Sequence, residues 1–168
     1  MILKFKNIEL EDKEIFENHF KRYQPSTIEY MFSTLYLWRK SFHFHWAQKD
    51  HILLINSCFP DGVAAFPPVA VEDDEFAHGM ELLQDYFREK EMPFRLTEIT
   101  NREKARLEKL YPGRFQFKEN RNAADYVYNR SDLANLIGRS YNGKRNHIRH
   151  FKKDHPDYQF IPLTKEWI

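Results

Sequence analysis

Proline sets hard limits on the length of any element this chain can form. Pro25, the pair Pro67-Pro68, Pro93 and the Pro112-Gly113 step divide the first two thirds of the chain into short segments. Proline lacks an N–H and forces the residue before it away from helical dihedrals, so each of these positions is a stop. Only short helices and strands fit between them, and the period of the apolar residues decides which is which.

Leu3 and Phe5 alternate with Lys4 and Lys6, the pattern of a half-buried strand. Asp12 is placed to cap a helix carrying Ile15, Phe16, His19, Phe20 and Tyr23, which ends before Pro25. Ser26 and Glu29 have capping-box spacing for a second helix with Ile28, Met31, Phe32, Leu35 and Trp38 as its apolar positions. Phe42, Phe44 and Trp46 alternate with His43 and His45, and Lys49-Asp50 turns the chain into the apolar run 52–55, a hairpin. Phe59-Pro-Asp-Gly62 is a further turn, and 63–66 a third strand closed by the proline pair.

Four acids, Glu72 to Glu75, then load the positive end of a helix dipole, and Phe76, Met80, Leu83 and Phe87 form the inner face of a long helix. The run 94–99 reads as a strand. Thr100 and Glu103 make a second capping box over Ala105, Leu107 and Leu110. Runs 114–117 and 125–128 read as strands joined through Asn120-Arg-Asn122. Ser131 caps a short helix ended by Gly138, a basic helix follows, and 158–163 reads as a last strand. Thr164-Lys-Glu-Trp-Ile168 resembles the first turn of a further helix, as expected of a piece of a longer protein.

With 42% hydrophobic and 16% aromatic residues and five glycines, the chain has the composition of a packed globular domain, not of a disordered tail or a coiled coil. Cys58 is the single cysteine, so an intramolecular disulfide is excluded and no oxidising compartment is required; a cytoplasmic location is expected. No uncharged run approaches the ~20 residues of a membrane span.

Charge is unevenly distributed. Between Asp132 and Asp154 there is no acid, while Arg139, Lys144, Arg145, Arg149, Lys152 and Lys153 supply six positive charges. Because the whole chain is only +1, the remainder lies near −5. At 100° per residue Tyr141, Ile148 and Phe151 form a narrow apolar stripe after the Asn142-Gly143 break, flanked by Lys152, Arg145, Arg149 and Lys153. Such a flank suits phosphate oxygens, since Arg offers a planar fork and Lys a point charge. It would serve equally as a solvated face, or as one that pairs with acids elsewhere.

The order β-α-α-β-β-β-α-β-α-β-β resembles the GNAT acetyltransferase fold, an α/β (α+β) arrangement with a mixed, mostly antiparallel sheet flanked by helices. Tyr126-Val-Tyr128, Arg130, Asp132-Leu133, Leu136, Gly138-Arg139, Lys144-Arg-Asn-His-Ile148 and Phe151 look like the signature of bacterial proteins similar to the C-terminal domain of phosphatidylglycerol lysyltransferase. Leu35-Tyr-Leu-Trp38 and Pro67-Pro68 fit the same family. The resemblance implies tandem GNAT-like domains related to enzymes that move an amino acid from aminoacyl-tRNA to an amine or hydroxyl. Residues 1–129 would be the first domain, and 130–168 the crossover, with its basic helix, towards a second domain largely outside this chain. The partners implied are tRNA and that second domain, with this piece inactive alone.

Two other readings stand beside it: a non-catalytic binding or scaffolding domain whose basic helix docks on an acidic partner, and an acyl-CoA N-acetyltransferase. The last needs N–H groups that cradle pyrophosphate at a helix N-terminus. The corresponding junction, 66–75, has no glycine, two prolines and four acids, so acyl-CoA is disfavoured and no cofactor is expected. His43, His45 and His51 could approach one another across the hairpin, but no acid or cysteine at ligand spacing joins them, and no metal is expected. Cys58 has no activating neighbour, and His147 and His150 read as polar surface. No residue is assigned a catalytic role. Phosphate or RNA contact is assigned to Arg139, Lys144, Arg145, Arg149, Lys152 and Lys153.

Overall fold

A computed structural model describes residues 3–60 and 62–165. Its contacts divide the chain into two units, split between Ala123 and Ala124. The first is built on four antiparallel strands in the order β1-β2-β3-β4, where β1 is Lys6–Asn7, β2 His45–Lys49, β3 Ile52–Phe59 and β4 Gly62–Ala65. The architecture is α+β with an antiparallel sheet, as the apolar periods require.

The sheet is covered on both faces, and β3 shows why its sequence is apolar without interruption. Side chains alternate across a strand. Leu53 and Ile55 join a cluster with Phe16, Phe20, Tyr30, Leu35 and Trp46, from α1 (Lys13–Tyr23), α2 (Phe32–Trp38) and their surroundings. Ile52 and Leu54 point the other way, into a cluster with Phe76, Met80, Leu83 and Phe87 of α3 (Asp73–Glu89) and Leu107 of α4 (Asn101–Leu110). Each fully buried Leu or Ile contributes about 1.5–3 kcal/mol, so β3 alone gives a large share of the driving force.

Most helix ends follow the sequence signals. Gln24, left-handed at φ 51°, closes α1 before Pro25, and Thr100 with Glu103 forms the capping box of α4. Asp12 stands at the N-cap position of α1, but its side chain makes no capping bond to that helix. It lies at the end of the 3-10 turn Leu10–Asp12, 5% exposed, and its carboxylate accepts hydrogen bonds from the Glu9 N–H (2.9 Å), the Lys6 ammonium (2.9 Å) and the Trp46 indole (3.0 Å). It joins β1, the turn and β2 where a helix cap was expected. The Ser26–Glu29 box does not form; Ile28–Tyr30 is a 3-10 turn and α2 starts only at Phe32, leaving Ile28, Met31 and Trp38 exposed.

The later strands are corrected too. Residues 94–99 are extended but contribute one parallel bridge, Ala65↔Leu96, through Ala65 N–H to Arg95 O (2.9 Å) and Thr97 N–H to Ala65 O (2.8 Å); left-handed Glu98 (φ 54°) ends it. Phe115 and Phe117 pack their rings on the second cluster without pairing their backbone. Among the described residues, 125–128 and 158–163 form no strand, and Tyr126 and Val127 are 89% and 92% exposed. The 3–6 strand is displaced to Lys6–Asn7. Asp61 of the expected turn, and residues 166–168 of the expected final helical turn, lie outside the described residues.

Gly79 marks the tightest approach of α3 to the sheet connection: a Cβ there would sit 2.6 Å from Pro68 Cβ and 3.1 Å from Ile52 Cγ2. Gly79→Ala gains about 1 kcal/mol of helix propensity but overpacks a rigid proline ring, which costs about 1–3 kcal/mol. The expected outcome is a net loss of stability, read as a Tm lowered by a few degrees in a calorimetric scan.

Candidate nucleic-acid interface

The second unit is organised by a helix–turn–helix sequence. Helix α5 (Arg130–Asn135) ends at Leu136 in the left-handed region (φ 50°), Gly138 takes φ 97°, the 3-10 turn Arg139–Tyr141 follows, and α6 spans Asn142–Asp154. Gly138 begins this turn, since α5 has already ended at Leu136. Asn142-Gly143 forms the first turn of α6 where a chain break was expected.

The six cations do not play one role. Arg145 faces its own unit: its Nη1 donates to the carbonyl of Leu136 and, at 2.8 Å, to that of Gly138. These are carbonyls left without helical partners where α5 ends. Arg145 therefore fixes the α5–α6 junction. Lys152 lies 6.0 Å from the centre of the Tyr158 ring, a contact that leaves the ammonium in solvent. Arg139, Lys144, Arg149 and Lys153 make no ion pair among the described residues, and all four are exposed. Along α6, Lys152, Arg149 and Lys153 fall on one arc, while Lys144 falls between Ile148 and Phe151. Phe151 contacts His155 (4.9 Å) and Tyr158 (5.4 Å), a small local cluster that remains half open to water. His147 and His150 are exposed.

Elsewhere the candidate groups separate. His43 precedes β2 in a left-handed conformation (φ 49°), so it does not share a strand face with His45. His51 instead lines a small hollow with His19 and Arg22. Among the described residues no three His, Cys, Asp or Glu side chains converge as a metal site would need.

In the loop that leads to α3, three backbone N–H groups are already engaged. Phe66 N–H donates to Ile55 O (2.9 Å), Val69 N–H to Leu53 O (3.0 Å) and Val71 N–H to the Glu75 carboxylate (3.3 Å). Asp73 sits between Arg106 (2.8 Å) and Lys109 (2.7 Å), and Arg106 also donates to the carbonyls of Ala70 and Val71. Carboxylates of the chain itself hold the place an anion would take.

One polar cluster was not legible. Glu103, 2% exposed, accepts hydrogen bonds from the Tyr23 hydroxyl, Thr100 and Arg102, whose guanidinium stacks 4.1 Å over the Tyr23 ring. The Tyr30 hydroxyl is buried nearby without a hydrogen-bond partner among the described residues. Burial by itself would raise the Glu103 pKa, but the bonds from Thr100, Tyr23 and Arg102 outweigh it and hold the carboxyl below its ordinary range. Tyr23 moves in the opposite direction, upward, through burial and its bond to Glu103. The capping box exposed Glu103 to sequence reading; Tyr23, 80 residues earlier, could be joined to it only by the fold.

A family model described as phosphatidylglycerol lysyltransferase, C-terminal, matches residues 20–168. The crystal structure of a conserved protein of unknown function from Bacteroides thetaiotaomicron VPI-5482 is similar to this chain with a TM-score of 0.85 and 30% identity, over 98% of this chain and 55% of that one. This chain thus spans about half the length of that relative. No curated protein matches it.

Arg145→Ala is expected to raise amide hydrogen exchange at the start of α6, while Arg149→Ala leaves exchange unchanged. A folded-state pKa below the unfolded value means that Glu103 stabilises the fold above its ordinary carboxyl pKa and loses that contribution as pH falls through the depressed value. Urea titrations from pH 6 to pH 3 should therefore show declining stability, with a shallower decline and a lower neutral-pH plateau in Glu103→Gln.

Proposed function

The chain belongs to the phosphatidylglycerol lysyltransferase C-terminal family, and from that membership we propose that it serves aminoacyl transfer from aminoacyl-tRNA, with the basic helix of its second unit holding RNA phosphates. The observation that carries this reading is the surface of α6. Arg149, Lys152 and Lys153 lie on one arc, with Arg139 and Lys144 nearby in the chain, and none is neutralised by an acid among the described residues. Exposed cations of this kind bind phosphates by releasing condensed counterions, and they position a nucleic acid without reading its sequence.

The reaction class asks little of a protein nucleophile. An amine or hydroxyl of the acceptor attacks the ester carbonyl of the charged tRNA. The new amide or ester bond forms, the bond to the terminal ribose oxygen breaks, and the acceptor's proton ends on that oxygen. Orientation and stabilisation of the developing oxyanion supply the acceleration. Under this reading the first unit is a GNAT-like domain, and residues 130–168 lead into a second such domain that completes the active site.

A second reading, a scaffolding domain whose basic helix docks on an acidic partner, is favoured by one feature: Ile148 and Phe151 are half exposed beside the cations. An acyl-CoA N-acetyltransferase is the least supported, because the loop before α3 has two prolines and three engaged N–H groups, and four acids stand at the start of the helix.

Binding of bulk tRNA across a salt series tests the proposal. Neutralising four phosphates gives a slope of about −3 to −4 in log K against log salt. Arg149→Glu/Lys153→Glu should flatten that slope and abolish binding near physiological salt without changing the Tm. No binding by the unaltered chain at low salt would reject the RNA reading.

A further inference from the structure

The hollow between α1 and the turn that joins β2 to β3 gathers hydrogen-bond donors without an acid. Ile15, Asn18, His19 and Arg22 share one face of α1 and line it together with Gln48 and His51 of the hairpin, around a volume of about 250 Å³. Apart from Ile15, every one of these side chains can donate a hydrogen bond. The volume lies just under the ~300–1,000 Å³ of drug-sized ligand sites, so the space suits a small occupant.

His19 gives the hollow its meaning. It is 8% exposed, yet its imidazole has no hydrogen-bond partner among the described residues, and buried polar groups are rarely left so. His51, on the turn, is exposed and its ring is equally without a hydrogen bond among the described residues. Gln48 is held at the same turn by a bond from its Nε2 to the Asp50 carbonyl (3.1 Å).

The charges around the hollow decide what it can hold. Arg22 is the permanent cation of the wall. Glu75 of α3 reaches it only loosely, at 3.8 Å, and its other oxygen accepts from the Val71 N–H (3.3 Å). Asp50, the acid of the turn, pairs with Lys49 (3.7 Å). Burial holds the His19 pKa below its ordinary value, with Arg22 and His51 acting in the same direction and Glu75 against them. A neutral ring beside one guanidinium suits a monoanion, whereas a phosphate or sulfate dianion calls for more positive charge. A metal ion needs three or four ligands, and here a guanidinium stands beside the imidazoles. The planar fork of Arg22 matches a carboxylate, and Ile15 offers apolar surface to a short alkyl group.

We infer that this hollow binds a small monocarboxylate, its oxygens held by the Arg22 guanidinium and the His19 and His51 imidazoles and its alkyl part lying against Ile15. The inference stands apart from the RNA reading of α6. A bound anion favours the charged form of His19, so binding takes up protons and strengthens as pH falls, by up to about tenfold per pH unit.

The test is calorimetric titration of the whole chain with butyrate at pH 8 and pH 6 and constant ionic strength, with sulfate as the comparison anion and the His19 ring followed by NMR. The expected result is saturable butyrate binding that moves the His19 ring signals, tighter at pH 6 than at pH 8 and stronger than that of sulfate. Arg22→Gln and His51→Ala change exposed side chains and should each weaken butyrate at least about fivefold, with an unchanged Tm. His19→Gln should remove the pH dependence; if it lowers the Tm, the two exposed variants decide. Absence of saturable binding at pH 6, an affinity indifferent to pH, or binding that Arg22→Gln and His51→Ala leave intact overturns the inference. So does sulfate binding at these residues where butyrate does not.

Discussion

The first unit depends on burying a single strand on both of its faces. β3 has no solvent side from Ile52 to Ser57, so it cannot be satisfied by one helical layer. Helices α1 and α2 cover one face and α3 and α4 the other, and the side-chain alternation of the strand assigns each residue to its cluster. Other features are conditions of this arrangement. Gly79 lets α3 approach Pro68, and the proline pair turns the chain from the sheet edge towards α3 without spending N–H groups it could not satisfy.

Two buried carboxylates tie the layers where apolar contact alone would leave slack. Asp12 collects a backbone amide, an ammonium and an indole, and so links the edge strand to β2. Glu103 joins the start of α4 to the end of α1 through Tyr23. Each is buried with several donors around it, the condition under which a low dielectric strengthens a polar contact. Glu103 thereby joins one helical layer to the other, while Asp12 fixes the turn that leads into α1.

The second unit follows a different logic. None of its described residues is buried, and its order comes from local devices: a left-handed Leu136, a positive-φ Gly138, and Arg145 satisfying the carbonyls between the two helices. One of the six cations is thereby spent on structure, and the remaining five project into solvent. A helix of this kind holds its charges in solvent without a core of its own.

Local signals survived into the structure. The amphipathic helices α1, α3, α4 and α6, the hairpins around β3, the Thr100–Glu103 box and the acid-free basic stretch were all legible, because each depends on residues within a few positions of one another. Tertiary context decided the rest. Asp12 became a junction once the fold brought Trp46 within reach, and Ser26 lost its helix to a 3-10 turn. Runs 94–99 and 114–117 read as strands, but the first made only one bridge, to Ala65, and the second packed its rings on the second cluster without backbone pairing. Charge spacing showed that α6 is basic, yet not that Arg145 turns inward. Periodicity is written residue by residue, whereas the partner that a side chain or a strand edge meets is set by distant segments, and only the closed chain brings those together.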